Sequence, residues 1–126
     1  MKKEEVSTNQ APGAIGPYSQ AVISGDFVYC SGQIGLNPES GEMAEGLESQ
    51  AEQVFANVRA VLQAAGCTMD DVIKTTVFMK DMNDFAKVNE LYGKQFQKPY
   101  PARSAVEAAR LPKDALVEVE VIARKQ

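Results

Sequence analysis

Three charged side chains in the last quarter of the chain have the types needed for chemistry on a small anion. Arg103 follows Pro101-Ala102, and Glu118 and Glu120 alternate with valines further along. A planar guanidinium binds a carboxylate or phosphate through two parallel hydrogen bonds. A carboxylate buried beside such an arginine is a candidate general base, with a pKa set by the neighbour that dominates. This combination is the first functional hypothesis.

Each of these residues also has a structural interpretation. Composition alone favours a surface or ion-paired role for Arg103. The alternation of Glu118 and Glu120 with valines is typical of a half-exposed strand. Asn89 adjoins an apolar helical stripe, where a lone polar residue usually makes a satisfied contact or meets solvent. None of these residues names a function by itself.

Histidine is absent from all 126 residues. Its absence excludes a Ser-His-Asp triad, a Cys-His pair and the commonest metal ligand. Cys30 and Cys67 form no CxxC pair and are expected to be small buried residues rather than nucleophiles. Acid–base chemistry near neutral pH would therefore use carboxylates, Lys, Tyr, Cys or bound water.

The composition is that of one ordinary, net-acidic globular domain over residues 1–126. Thirteen Lys and Arg stand against 17 Asp and Glu, giving a net charge of −4. A net-acidic surface repels phosphate backbones, so general nucleic-acid binding is disfavoured. The sequence has no signal-peptide pattern and no apolar run near the ~18 residues of a membrane span. We therefore expect a cytoplasmic protein with reduced cysteines.

The elements that must position these side chains begin with strands. Residues 1–17 are polar and then rich in Pro and Gly, which predicts an extended entry segment. Two β-favouring runs, 21–24 and 27–31, flank Gly25-Asp26 and predict a hairpin. Apolar residues at helical spacing predict a helix over 47–65, and the glycine after it supplies a stop.

The second half of the chain repeats the strand–helix pattern. The β-branched run 72–79 predicts a strand. Asn83 is predicted to cap a second helix, with an apolar stripe that extends to Phe96. Strands near Arg103–Glu107 and Ala115–Ala123 complete the order β-β-α-β-α-β-β. This order predicts an α+β fold with one mixed sheet and two helices on one face.

Two helices would cover only one face of that sheet. The strand 72–79 is nevertheless apolar on both sides. One side is expected to carry Ile73, Thr75, Val77 and Met79, and the other side Val72, Thr76 and Phe78. A strand with two apolar sides needs cover on both faces. We therefore expect a homo-oligomer in which the sheets of different copies pack together.

Six short segments carry most of these residues in one order. They are Ile15-Gly16-Pro17-Tyr18-Ser19-Gln20, Ser31-Gly32-Gln33-Ile34, Val88-Asn89-Glu90-Leu91-Tyr92, Pro101-Ala102-Arg103-Ser104, Ala108-Ala109-Arg110-Leu111-Pro112-Lys113 and Val117-Glu118-Val119-Glu120. Together they closely resemble the RidA family, also called YjgF-like proteins, from about Pro12 to Arg124. Two such segments could arise by chance, whereas six in order are highly specific.

The resemblance implies a chorismate-mutase-like α+β fold. It also implies a homotrimer with the sheets facing inward and sites in clefts between subunits. The implied activity is hydrolysis of reactive 2-imino acids and their enamine tautomers, such as 2-iminobutanoate and 2-iminopropanoate, to 2-keto acids and ammonia. Such imines leak from pyridoxal-phosphate enzymes, and removing them limits metabolite damage. No metal or cofactor is implied.

By motif position, the family's site residues correspond to Tyr18, Ser31, Asn89, Arg103 and Glu120. The resemblance implies that Arg103 binds the substrate carboxylate and that Glu120 holds, and deprotonates or orients, the attacking water. Tyr18, Ser31 and Asn89 would shape the cleft and supply hydrogen bonds.

Glu118 and Ala105 both bear on this correspondence. Glu118 lies on the same strand face and competes for the water-holding role, although the match of the last strand to the family favours Glu120. The family commonly has Arg-Ser-Cys where this chain has Arg103-Ser104-Ala105. A mechanism that needs the thiol would leave this protein inactive, whereas a mechanism that uses water survives the change.

Two other functions compete with the deaminase. One is a non-catalytic trimer that binds a keto acid at Arg103 and regulates amino-acid or purine metabolism, to which Ala105 lends weight. The other is a translation-inhibiting ribonuclease, an activity also claimed for the family. The net charge of −4 and the absence of histidine oppose the ribonuclease.

Overall fold

The computed structural model describes residues 2–126, which fold into a six-stranded mixed sheet with two helices on one face. The strands are β1 (Glu4–Val6), β2 (Ala21–Ser24), β3 (Phe27–Cys30), β4 (Val72–Met79), β5 (Ala102–Glu107) and β6 (Val117–Arg124); the helices are α1 (Leu47–Ala64) and α2 (Phe85–Gly93). The spatial order is β1-β2-β3-β6-β4-β5. The predicted α+β class, with one mixed sheet and two helices on one face, is confirmed.

Strand β5 owes its direction to α2. It pairs in parallel with β4, and all other neighbours are antiparallel. A parallel neighbour requires a crossover connection, which α2 provides between β4 and β5. Arg103 therefore lies on the last strand of the sheet, next to the helix that crosses over it.

The core lies between α1 and the inner strands. The apolar stripe of α1 packs against alternate residues of β3, β4 and β6, and the fully buried members include Val54, Val58, Val61, Leu62, Val28, Val77, Val119 and Val121. Gly66 follows α1 with φ of +83°, the left-handed conformation in which glycine ends a helix. The predicted helix and its stop are confirmed.

Side-chain rings join α2 to α1. The Tyr92 ring packs edge to face against Phe55, with ring centroids 6.1 Å apart, and its centroid lies 4.7 Å from that of Phe96. Phe96 is buried, as its place in the predicted stripe suggested, although α2 ends three residues earlier. Asn83 does not cap α2. It lies in a 3₁₀ turn over Met82–Asp84, and the carboxylate that accepts its backbone N–H belongs to Asp81.

Two other local predictions were incomplete or wrong. The extended entry segment contains a short strand, β1, which pairs with β2. In β4 a register shift between Val72 and Lys74 reverses the expected alternation at its start. Val72 is therefore buried with Thr75 on the helix side, and Ile73 is exposed. A bulge adds one residue to a strand, which the period-two pattern does not reveal.

The sheet face away from the helices, here called the open face, carries apolar and acidic side chains together. Tyr29 is 48% exposed and Val106 is 42% exposed, while Glu118 and Glu120 lie on the same side. Exposed aromatic and aliphatic groups on a sheet face are typical of a contact surface. The expected packing of copies against this face stays a prediction.

The loop after β3 is held against α1. The Asn57 side chain donates hydrogen bonds to the carbonyl oxygens of Ile34 and Leu36, at 3.1 and 2.9 Å. Gly35 lies so close to α1 that a Cβ there would be 2.8 Å from Gln50 Cα. A larger residue at position 35 would push the loop away from the helix.

No helix within residues 2–126 has the length and apolar composition that a membrane-spanning helix requires.

Candidate functional site

Arg103 is oriented by neutral groups. Its Nη1 donates a 2.7 Å hydrogen bond to the Asn89 side-chain oxygen. The guanidinium carbon lies 4.8 Å from the centre of the Tyr92 ring and 5.4 Å from that of Phe85. All three partners belong to α2. The face of an aromatic ring attracts a cation without cancelling its charge.

No carboxylate forms an ion pair with Arg103 in the described residues. The ion pairs there join Lys87 to Glu48 and Glu90, and Arg110 to Asp114. A guanidinium has five N–H donors, of which two can bind one carboxylate side by side. The arrangement of Arg103 is therefore suited to an anion from outside the chain.

The guanidinium borders an open cavity of about 440 Å³. We call it the arginine cavity, and it is lined by Asn89, Tyr92, Gly93, Tyr100, Pro101 and Arg103. This volume is ample for a small carboxylic acid. Two of the predicted site residues, Asn89 and Arg103, are thus in direct contact.

A second cavity, of about 520 Å³, lies elsewhere on the protein. We call it the glutamate cavity, and the polar and charged side chains that line it include Tyr18, Gln20, Ser31, Gln33, Lys113 and Glu118. The Ser31 hydroxyl donates a 2.6 Å hydrogen bond to the Ser19 carbonyl, which leaves its oxygen free to accept one. Tyr18 and Ser31, predicted as site residues, are thus brought together with Glu118.

Backbone geometry makes room for the Glu118 side chain. It lies against Gly32, where a Cβ would be 2.9 Å from Glu118 Cδ. Valines on either side of Glu118 are buried in the core, so alternation directs the carboxylate to the open face. Any side chain at position 32 would displace that carboxylate from its present place.

The environment of Glu118 favours its protonated form. Burial raises the pKa of the Glu118 carboxyl, and the negative charge of Glu120 raises it further. A carboxyl group whose pKa moves towards neutrality is better suited to exchange protons with a substrate at physiological pH.

Glu120 lies in a separate groove. It has the same strand face as Glu118, but it is exposed and lines a groove of about 190 Å³ with Tyr29, Lys74 and Thr76. Glu118, rather than Glu120, therefore shares a cavity with Tyr18 and Ser31. The water-holding role of Glu120 stays a prediction, and the geometry favours its competitor.

The two cavities belong to opposite faces of the sheet. Arg103 is the register partner of Thr75, which is buried on the helix side. Glu118 is the register partner of Phe78, three residues further along β4, and so points to the open face. One chain therefore does not bring Arg103 and Glu118 to the same small molecule.

The cysteines and the departure at Ala105 lie outside this chemistry. Cys30 and Cys67 are free and buried, as predicted. Burial, with a smaller contribution from Cys67, raises the pKa of Cys30 to about 12, so its thiol is neutral. Ala105 packs against the core on the helix side.

The sequence patterns did not single out two residues of these cavities, Tyr92 and Lys113. Tyr92 was assigned to the core, although its ring also supports Arg103. Lys113 enters the glutamate cavity from a turn in which Lys113 and Asp114 have φ of 54° and 56°. Left-handed backbone at non-glycine residues is strained and is concentrated at functional sites. The segment Leu111-Pro112-Lys113 is visible in the sequence, but the sequence does not reveal the left-handed backbone of Lys113.

The chain is similar in sequence to known proteins over nearly its whole length. Residues 8–125 match the family model described as Endoribonuclease L-PSP. A RutC family protein of Pyrococcus horikoshii is 52% identical, covering 98% of this chain and 99% of that protein. The 2-iminobutanoate/2-iminopropanoate deaminase of Salmonella typhimurium is 50% identical over 94% of both chains.

The fold is also similar to that of a solved structure. The crystal structure of E. coli TdcF with bound serine superposes with a TM-score of 0.94 and 47% identity, covering 98% of this chain and 99% of that chain. At this TM-score the two backbones follow the same course over nearly all of both chains.

The raised pKa of Glu118 has a measurable effect on stability. Between the pKa of the unfolded chain and the raised folded value, the folded protein binds more protons, so stability falls as pH rises. We expect Glu118→Gln to increase the free energy of unfolding at neutral pH, because the amide resembles the neutral acid. The advantage should vanish below about pH 4, where the wild-type group is protonated in both states.

Urea denaturation at several pH values measures this difference, with exposed Glu52→Gln on α1 as the control. A Glu118→Gln protein that is less stable than wild type at neutral pH would contradict the assigned environment.

Proposed function

The chain belongs to the RidA (RutC) family, and on that premise we propose that it hydrolyses reactive 2-imino acids and enamines to 2-keto acids and ammonia. Suitable substrates are 2-iminobutanoate and 2-iminopropanoate, as in the names of relatives about 50% identical. The observation that carries the proposal is the guanidinium of Arg103, oriented by neutral partners at a cavity large enough for such an acid.

Arg103 binds the substrate carboxylate in this proposal. Two parallel N–H···O bonds fix the position of the adjacent C2 carbon, which carries the imine. Holding this carbon beside a bound water replaces a bimolecular encounter by a local one. A protonated imine is already electrophilic, so positioning supplies a large part of the rate increase.

A carboxylate on β6 directs the water. As the water oxygen bonds to C2, the carboxylate takes one water proton, and the C=N π electrons pass to nitrogen. The carboxyl group returns this proton to the nitrogen of the carbinolamine, and ammonia leaves with the electrons of the C–N bond. The carboxylate accepts the hydroxyl proton as the C=O bond forms and passes it to the departing ammonia. The net change is protonated imine plus water to ketone plus ammonium, with the carboxylate regenerated.

Glu118 is the carboxylate that the geometry favours for this step. It shares a cavity with Tyr18 and Ser31, and burial raises its pKa towards the range useful for proton transfer. Tyr18 and Ser31 supply hydrogen bonds to the substrate nitrogen or the water. Glu120 is the alternative that motif position favours, and it lies in the adjoining groove.

The complete site forms between copies of the chain. Arg103 and Glu118 occupy opposite faces of one sheet, so a neighbouring copy must bring its glutamate cavity to the arginine cavity. A homotrimer with inward-facing sheets would cover the exposed apolar groups of the open face and create three such sites. In a cell, this activity would limit damage by imines released from other enzymes.

A non-catalytic binding function is the second candidate. The structure of E. coli TdcF was solved with serine bound, which is a ligand and not an imine. The same arginine cavity would bind a keto acid without turnover. Affinity for 2-oxobutanoate without any effect on imine hydrolysis would favour this function.

The deaminase proposal is tested by competition for a freshly made imine. An amino-acid oxidase generates the 2-imino acid, semicarbazide traps it, and the active protein slows the appearance of the semicarbazone. We expect Arg103→Ala to lower kcat/KM about 100-fold or more, since it removes two charge-assisted hydrogen bonds. Exposed Arg59→Ala is the matched control, and full activity of Arg103→Ala would refute the proposal.

Paired substitutions decide which glutamate directs the water. We expect Glu118→Gln to lower kcat by about 10²–10⁴-fold, the usual contribution of a general base, and to do so more severely than Glu120→Gln. The same assay measures both variants. The reverse order of the two losses would assign the water to Glu120.

Mixed oligomers test whether the site lies between copies. Arg103→Ala and Glu118→Gln subunits are expected to be inactive separately. Co-expressed in equal amounts, they should regain about a quarter of wild-type activity, because each half of a site is intact in about half of the subunits. A lack of recovery in mixed oligomers of confirmed composition would argue for a site within one chain.

A further inference from the structure

A hydrogen bond between two buried hydroxyl groups lies next to Arg103. Thr75 Oγ1 and the Tyr92 hydroxyl oxygen are 2.9 Å apart, and either can be the donor. Thr75 is 0% exposed and Tyr92 is 6% exposed. Within residues 2–126 each hydroxyl has only the other as its side-chain hydrogen-bond partner.

The position of this pair relates it directly to the guanidinium. Thr75 on β4 is the register partner of Arg103 on β5, so the two side chains are neighbours on the same face of the sheet. Tyr92 approaches from α2, and the Arg103 guanidinium carbon lies 4.8 Å from the centre of its ring. The tyrosine is therefore bonded to the strand at its hydroxyl end and contacts Arg103 with its face.

Core packing does not require the hydroxyl groups. The Tyr92 ring already meets Phe55 and Phe96, and a phenylalanine would fill the same space. Replacing both partners of a buried hydrogen bond by apolar groups of equal shape is close to neutral for stability. The bond does, however, fix the position of the Tyr92 hydroxyl oxygen and therefore the tilt of the ring's long axis.

The residues that support an anion site must orient the guanidinium without neutralising its charge. An acidic partner would also fix the guanidinium, but it would compete with the substrate carboxylate for the same donors. Asn89, one turn before Tyr92 on α2, fixes Nη1 through an amide oxygen. The ring of Tyr92 then defines the plane against which the remaining donors lie.

We propose that the Thr75–Tyr92 hydrogen bond is a positioning device that fixes the Tyr92 ring as the support of Arg103 and thereby sets the affinity of the site for the substrate carboxylate. The proposal rests on the proposed function. Thr75 and Tyr92 are positioning residues, since they act through Arg103.

The test compares Thr75→Val, Tyr92→Phe and the double variant. We expect Kd for 2-oxobutanoate by calorimetry and KM for the imino acid to rise about 2–5-fold in all three, the range of one exposed cation–π contact. The value of kcat should change little, because the carboxylate is bound equally in the ground and transition states.

Stability separates positioning from packing. Each single variant leaves one buried hydroxyl without a partner and should unfold at lower urea concentration, whereas the double variant should regain the loss. Weakened affinity in a double variant of restored stability supports the proposal, and wild-type affinity there overturns it. Val61→Ala, a core truncation in α1, is the matched control, which should lose stability at unchanged Kd and KM.

An NMR measurement keeps the proposal testable without a ligand. The ring of Tyr92 should shift the Arg103 Nε–Hε resonance, which is assigned by its loss in Arg103→Lys, and the shift should shrink in all three variants. A wild-type protein that binds no 2-oxobutanoate and hydrolyses no imine would refute the proposed function. An unchanged Nε–Hε resonance in the variants would refute the positioning role whatever the ligand results.

Discussion

An arginine whose charge is held in place without being cancelled is the feature on which the site depends. Arg103 rests on two aromatic rings and one amide oxygen, all supplied by α2. Aromatic faces and amides orient a guanidinium while leaving its positive charge and most of its donors available. The fold serves this arrangement, because the α2 crossover that makes β5 a parallel strand also places these residues beside Arg103.

The alternation of side chains in a sheet imposes the second constraint. It directs Arg103 to the helix side and Glu118 to the open face, so a cation and a base suited to one small substrate diverge within a single chain. In the proposed oligomer, a symmetric assembly would resolve this separation by bringing unlike faces of neighbouring copies together. The exposed tyrosine and valine of the open face would then serve as contact surface.

The chemistry required of these residues is modest. Without histidine, and with both thiols buried, the described site offers a guanidinium, hydroxyl groups and carboxylates to work with solvent water. Imine hydrolysis suits this set, since the substrate is electrophilic and the nucleophile is abundant. Ala105 packs against the core, and a mechanism that uses water needs no thiol at this position.

The sequence by itself determined the class of the fold, the α1 helix with its glycine stop, the alternation of β6 and the family, because these depend on local periodicity and on motifs read in order. It placed Arg103 and Asn89 in one site, and the structure brings them into contact. Only the tertiary structure decided that Glu118 joins Tyr18 and Ser31 while Glu120 lies in another groove. Two glutamates on one strand face are equivalent in a period-two pattern, and they are distinguished by what packs over each of them. Gly32 leaves space beside one of the two, and the register shift in β4 and the buried Thr75–Tyr92 bond likewise arise from contacts between residues far apart in the chain.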